Sequence, residues 1–199
     1  MHWRLKAYLA FFCICFSASS VLSHEINIDG KLDDSAWKSA DEYTKYYESL
    51  PFTLNEPKDF QKVLILEDEK GIYLGFINKQ DKETIRANRH ERDDEMANAD
   101  KAGLAIDFDG DGLAAYAFTV SAGGSISDGI YRNENEVNYD WDADWKSGVF
   151  VDKDYWYVEM FIPWSIAPMK AVNGEFREVK LSFWRLLAAE WRVNTTIRS

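Results

Sequence analysis

Ile28-Asp-Gly-Lys-Leu-Asp-Asp-Ser-Ala-Trp37 decides how this chain enters its fold. Ile26 and Ile28 alternate with polar residues, as in an extended entry strand. Asp29-Gly30 is a turn signal, because Gly takes backbone conformations closed to other residues. Asp33 or Asp34 is expected to cap a short helix, since a carboxylate there accepts backbone N–H bonds that have no other partner. That helix carries Trp37 inward, under the sheet that follows.

The sheet is legible downstream. Residues 61–66 and 71–77 are near-continuous apolar runs around an Asp-Glu-Lys-Gly turn, as expected of interior strands. Residues 79–101 are dense in charge, lack strand alternation and read as a long loop. Residues 102–108 and 114–120 form a hairpin around Asp109-Gly-Asp-Gly112, continued by 125–131. Residues 133–145 read as a polar, aromatic-rich loop. A second hairpin, 147–151 with 155–162, turns at Asp152-Lys-Asp154. Trp156, Val158, Met160 and Ile162 share one face of its second strand. Residues 179–186 read as a last core strand and 190–197 as an edge strand. Short strands punctuated by turns predict an all-β chain: an antiparallel β-sandwich with a short N-terminal helix and long connecting loops.

The first 23 residues are expected to lie outside this domain. Arg4 and Lys6 precede an apolar run of residues 7–16 and a small, polar stretch ending at Ser23. This is the layout of a secretory signal peptide, and the run is too short to span a bilayer, which takes roughly 20 apolar residues. The domain is then 24–199. Both cysteines, Cys13 and Cys15, belong to the leader, so the exported chain has no disulfide or thiolate chemistry. Removing two basic residues takes the net charge from -11 to -13. So acidic a domain disfavours nucleic acid, which needs basic patches, and favours cations or neutral ligands.

Chemistry-bearing residues are few in kind. His90 is the one histidine in the body of the chain, so a triad or multi-histidine zinc site has little to draw on. Asp107-Phe-Asp-Gly-Asp-Gly112 matches the first half of a calcium-binding EF-hand loop, but its twelfth position is Phe118 where a bidentate Glu is required. Asp107, Asp109 and Asp111 could still present oxygens to a structural Ca²⁺, with a solvated turn as the alternative. Of the tryptophans, Trp37, Trp156 and Trp184 sit in core patterns. Trp141 and Trp145, in Tyr139-Asp-Trp-Asp-Ala-Asp-Trp145, stand among polar groups, where indole faces can stack on apolar faces of a ligand. In Glu91-Arg-Asp-Asp-Glu95, Arg92 offers a planar donor fork and Asp94 acceptors.

The opening motif, I-D-G-x-L-D-D-x-x-W-x-x-A, resembles the start of family 9 carbohydrate-binding modules. The resemblance continues through residues 63–77, Arg92-Asp93, Ala105-Ile-Asp107, the Trp141/Trp145 pair and Trp156-Tyr-Val-Glu-Met-Phe-Ile-Pro163. Arg185 and Glu190-Trp191 are similar to the closing elements. It implies a β-sandwich that binds sugars, often with structural calcium, some members holding a terminal sugar between two Trp rings. On that footing Trp141, Trp145 and Trp191 are the expected stacking residues. Arg92 and Asp94 are expected to bond sugar hydroxyls, and Asp107, Asp109 and Asp111 to hold calcium.

The order of motifs is also similar to exported bacterial proteins in which such a module precedes an outer-membrane-type β-barrel. Three functions follow. The first is a non-catalytic module for a poly- or oligosaccharide, exported to the periplasm or beyond. The second is a periplasmic accessory domain of a membrane barrel, with no sugar site. The third is a glycoside hydrolase, which needs two carboxyl groups about 5–10 Å apart in a cleft.

Overall fold

The computed structural model describes residues 12–13, 25–132, 136–171 and 177–196. The expected leader lies outside these, except for a two-residue strand, β1 (Phe12–Cys13), beside Leu181 and Lys180. The remaining strands are β2 (Asp41–Tyr43), β3 (Tyr47–Leu50), β4 (Gln61–Glu67), β5 (Gly71–Lys79), β6 (Lys101–Asp107), β7 (Tyr116–Ser121), β8 (Ile126–Arg132), β9 (Glu136–Asn138), β10 (Lys146–Val151), β11 (Tyr155–Pro163), β12 (Lys180–Leu187) and β13 (Arg192–Thr195). They form two antiparallel sheets. The larger runs β3-β13-β12-β6-β7-β8-β9, with β1 off this path on β12; the smaller runs β10-β11-β5-β4-β2. The expected all-β sandwich is the observed one.

The core between the sheets follows from strand alternation. Trp156, Val158, Met160 and Ile162 of β11 are fully buried against Leu104, Ile106, Phe118 and Phe183 of the larger sheet. Central strand β5 is buried on both faces, which explains its unbroken apolar run. Leu74 and Phe76 point to the main core. Tyr73 faces away, in a second cluster with Trp37, Leu64 and Leu66.

The opening motif builds that second cluster through one buried carboxylate. Glu159 of β11 is fully buried and accepts hydrogen bonds from Asp29 N–H (2.9 Å), Gly30 N–H (2.8 Å) and Trp37 Nε1–H (2.9 Å). Gly30 has φ +88°, and a Cβ there would come within 2.6 Å of the Val149 and Phe150 backbone. The two most specific stretches of the resemblance, I-D-G…W and V-E-x-x-I-P, are thus bonded to each other. Burial pushes the Glu159 carboxyl above the ordinary range even though its three donors pull the other way.

Three local expectations are corrected. The N-terminal helix is a 3-10 turn, Ser35–Ser39, and Asp34 makes no side-chain cap. So short a turn gives a carboxylate little to cap, and Asp34 Oδ2 instead accepts the Asn27 N–H at 2.9 Å, tying the entry segment to the turn. β13 is not an edge, because β3 pairs outside it through Val193↔Leu50 and Thr195↔Tyr47. β2 and β3 themselves lie in residues 41–50, where charges interrupt the alternation and hide the strands.

Candidate functional site

Apart from Trp191, the predicted ligand residues fall in two places that are already internally bonded. Arg92 pairs with Asp128 and with Asp142 (2.9 Å), and donates to the Ala143 carbonyl. Asp128 is completely buried, and its other oxygen accepts the Ala143 N–H at 2.6 Å. Burial pushes Asp128 above the usual carboxylate range, opposed by Ala143, Arg92 and the Trp145 ring. Arg92 therefore anchors residues 91–95 to β8 and to the loop before β10. Asp94 turns its carboxylate to the Met96 N–H, 3.1 Å.

Trp141 and Trp145 close the same edge of the sandwich. Trp145 is 8% exposed, with its ring edge-on to Phe118 at 5.3 Å, and it belongs to the main core. Trp141 is half-buried against Tyr116 (5.0 Å) and Phe118 (6.1 Å). The polar neighbours in this stretch point outward at alternate positions, while the two rings turn onto the open sandwich edge. Trp191 differs: it is 66% exposed at the β12–β13 turn, with φ +49°.

The three aspartates of the β6–β7 loop do not converge. Asp107 is 2% exposed and accepts the N–H groups of Asp109 (3.1 Å), Gly110 (2.9 Å) and Gly112 (2.7 Å), so its carboxylate organises the turn. Asp109 accepts the Lys170 N–H (2.9 Å) and pairs with Arg177 (2.7 Å). Asp111 pairs with the Lys170 ammonium, which holds its carboxyl below the usual range. No group of three or more metal-ligating side chains gathers among the described residues.

The surface that combines an open indole with small polar groups is the outer face of the larger sheet. Cross-strand pairing aligns Tyr47, Thr195, Trp184, Gly103, Thr119 and Ser127 in one row across six strands. Their neighbours Leu104, Phe118 and Phe183 point the other way, into the core. Trp184 lies against Gly103, where a Cβ would fall 2.7–2.8 Å from its ring atoms, and it stays partly exposed. The next row is Ser182, Ala105, Ala117 and Gly129. The floor is therefore made of small residues and hydroxyls, with Trp184 standing over it.

Residues 94–101 and two tyrosines wall the opposite side. Lys101 reaches out of the floor and donates its ammonium to the carbonyls of Asp94 and Glu95, both at 3.1 Å. Tyr139 hydrogen-bonds the exposed Glu95 carboxylate. Burial first, and then this carboxylate, push its phenol well above the usual range. Tyr131 is raised by burial and by the same Glu95. The face thus offers one partly exposed aromatic plane and a carboxylate acceptor above a floor of small residues.

Sequence reasoning missed Trp184, Tyr131, Tyr139 and Glu95. The signal for Trp184 was present. Leu181, Phe183 and Leu187 set the inward phase of β12, which leaves residue 184 outward. Trp37 and Trp156 are core residues, as expected.

No protein-family model matches the chain, and no curated sequence matches it significantly. Solved structures do match. A Bacteroides uniformis protein provisionally described as carbohydrate-binding aligns over 81% of this chain and 79% of its own, at 12% identity and a TM-score of 0.62. A family 9 carbohydrate-binding module from Caldicellulosiruptor kristjanssonii, in complex with cellotriose, aligns over 87% of this chain and 79% of its own, at 16% identity and a TM-score of 0.58. Its glucose complex aligns over 88% and 82%, at 14% identity and the same TM-score of 0.58. At such identities the likeness is one of fold: this chain has the sandwich of family 9 modules.

Proposed function

We propose that this chain is an exported, non-catalytic carbohydrate-binding module that receives a glycan on the outer face of its larger sheet. The observation that carries the reading is Trp184, a partly exposed indole laid over Gly103 above a floor of Ser, Thr, Gly and Ala residues. Pyranose rings present apolar C–H faces to an indole and a rim of hydroxyls to polar groups. Glu95 with Tyr139 supplies an acceptor and a phenol from the wall, above a floor in which Thr119, Ser127 and Ser182 are themselves buried. Trp191 adds a second open indole at the β12–β13 turn. Export rests on the basic-apolar-polar order of residues 1–23. No described helix is long and apolar enough to cross a membrane.

The first ligands to try are those held by the fold's neighbours, cellotriose and glucose. In native gels containing cellulose or xylan derivatives, the purified domain is expected to migrate more slowly than in plain gels. Free cellotriose is expected to restore its mobility. Unchanged migration across a panel of neutral and acidic polysaccharides rejects the reading.

A further inference from the structure

Between the two sheets, at the end away from the β6–β7 loop, lies a set of buried polar groups that the sugar-binding reading does not use. Gln61 and Asn78 face each other across β4 and β5, in one row with Trp156 of β11. Opposite them, Arg185 and Asn194 form a cross-strand pair on β12 and β13. The Arg185 guanidinium bridges the sheets, 5.8 Å from the Trp156 ring centre, with Nη2 donating to the Lys79 carbonyl (3.0 Å) and Gln80 Oε1 (2.7 Å). Tyr46 lies close enough to feel its charge.

These groups are shielded from water, and most of their bonding capacity is unused. Arg185, Asn78 and Asn194 are 0% exposed; Gln61 and Tyr46 are 3%. Among the described residues, Arg185 Nε and Nη1 and both amide atoms of Asn78 and Asn194 have no hydrogen-bond partner, while the Tyr46 hydroxyl interacts with the Gln61 side chain. Among the described residues the guanidinium has no ion pair either. Asp59 and Asp100 act on it only at a distance. Asp100 is committed elsewhere, to the Ala188 N–H, the Gln80 amide and the Arg86 N–H. Burial first, and then the nearby positive charge of Arg192, bring the Arg185 pKa down to about 10.

A buried charge without a partner is costly, and native proteins supply it with a counter-charge or hydrogen bonds. The free groups are two guanidinium nitrogens and the amides of Asn78 and Asn194, each bringing an NH₂ donor and a carbonyl acceptor, so N–H donors outnumber acceptors around a single positive charge. A partner that meets one buried positive charge and these N–H donors is a small anion. We propose that this buried cluster, centred on Arg185, binds one monovalent halide-sized anion, chloride under ordinary conditions. An anion held only by the folded chain stabilises it in proportion to occupancy.

Thermal melts of the purified chain at constant ionic strength test this, with sodium chloride or bromide replacing sodium gluconate, whose anion is too large to enter. The melting temperature is expected to rise by several degrees in chloride and in bromide, and to level off as the site fills. Crystals grown in bromide are expected to show an anomalous peak within hydrogen-bonding distance of Arg185 Nε or Nη1. Arg185→Met, which keeps the stem and removes the charge, is expected to abolish the halide response. Should that variant fail to fold, Asn194→Leu is expected to weaken the response while keeping the cation. Equal melting in gluconate and chloride overturns the proposal, as does a cluster holding ordered water and no bromide peak.

Discussion

Glu159→Ala is expected to lower stability by about 3–5 kcal/mol, because it strands two buried donors and a third, part-buried one at once. The Asp29 and Gly30 N–H groups and the Trp37 indole N–H all end on this one carboxylate. Gly30 is too tightly packed on the Val149 backbone to turn away. For a domain of this size the loss corresponds to a fall in Tm of about 10 °C. Chemical or thermal unfolding measures it directly. Glu159→Gln keeps the shape but has one acceptor oxygen, so an intermediate loss is expected. A variant within about 0.5 kcal/mol of the parent contradicts the lock.

The same residue gives the chain a pH dependence of defined sign. Burial raises the Glu159 carboxyl in the folded state above its ordinary value of 4.5. The folded chain therefore holds this proton more firmly than the unfolded chain. Its contribution to stability is fully present below 4.5 and is lost as pH rises through the raised value. Asp128, raised by burial from 3.8, acts in the same direction. Stability plotted from pH 4 upward is expected to fall less steeply in Glu159→Gln than in the parent.

Trp184→Ala is the substitution expected to cost most in binding. A central aromatic that contacts ligand typically contributes 2 kcal/mol or more, so the dissociation constant is expected to rise by about 30-fold. The fold is expected to survive, because the ring lies on the outer face and not in the core. Trp184→Tyr, which keeps a flat ring, is expected to retain part of the affinity. Trp145→Ala is expected to do the opposite. Its ring packs edge-on to Phe118 in the core, so stability drops while any protein that folds still binds. Titration calorimetry with cellotriose, beside melting curves, separates the two behaviours.

The fold was more legible in the sequence than the site was. Turn residues and apolar alternation mark β4, β5, β6, β7, β8, β10, β11 and β12, since period and punctuation are properties of the local chain. β2 and β3 were hidden because their pairing partners, Val63 to Ile65 and Val193 to Thr195, lie far along the chain and supply the order that residues 41–50 lack. The expected stacking residues were chosen by polar company in sequence. Asp140, Asp142 and Asp144 do face outward, but that phase is what sends Trp141 and Trp145 onto the sandwich edge. Trp184 sits in apolar company and was read as core, although Phe183 already holds the inward position. Which of two faces is wet depends on the second sheet, and no local stretch records that. Likewise, Asp107-Phe-Asp-Gly-Asp111 has the spacing of a cation loop, yet Asp107 is spent on its own backbone and the other two on Lys170 and Arg177.

The central claim is that ligand lies on the outer face of the larger sheet, against Trp184. A heteronuclear NMR titration of the ¹⁵N-labelled domain with cellotriose tests it most directly, because each indole N–H and each floor amide reports separately. The account predicts that the Trp184 indole and the amides of Gly103, Thr119, Ser127 and Ser182 shift together with saturation, while the Trp37, Trp145 and Trp156 indoles stay still. Shifts centred instead on Trp141 and Arg92, with the Trp184 row unmoved, would contradict it.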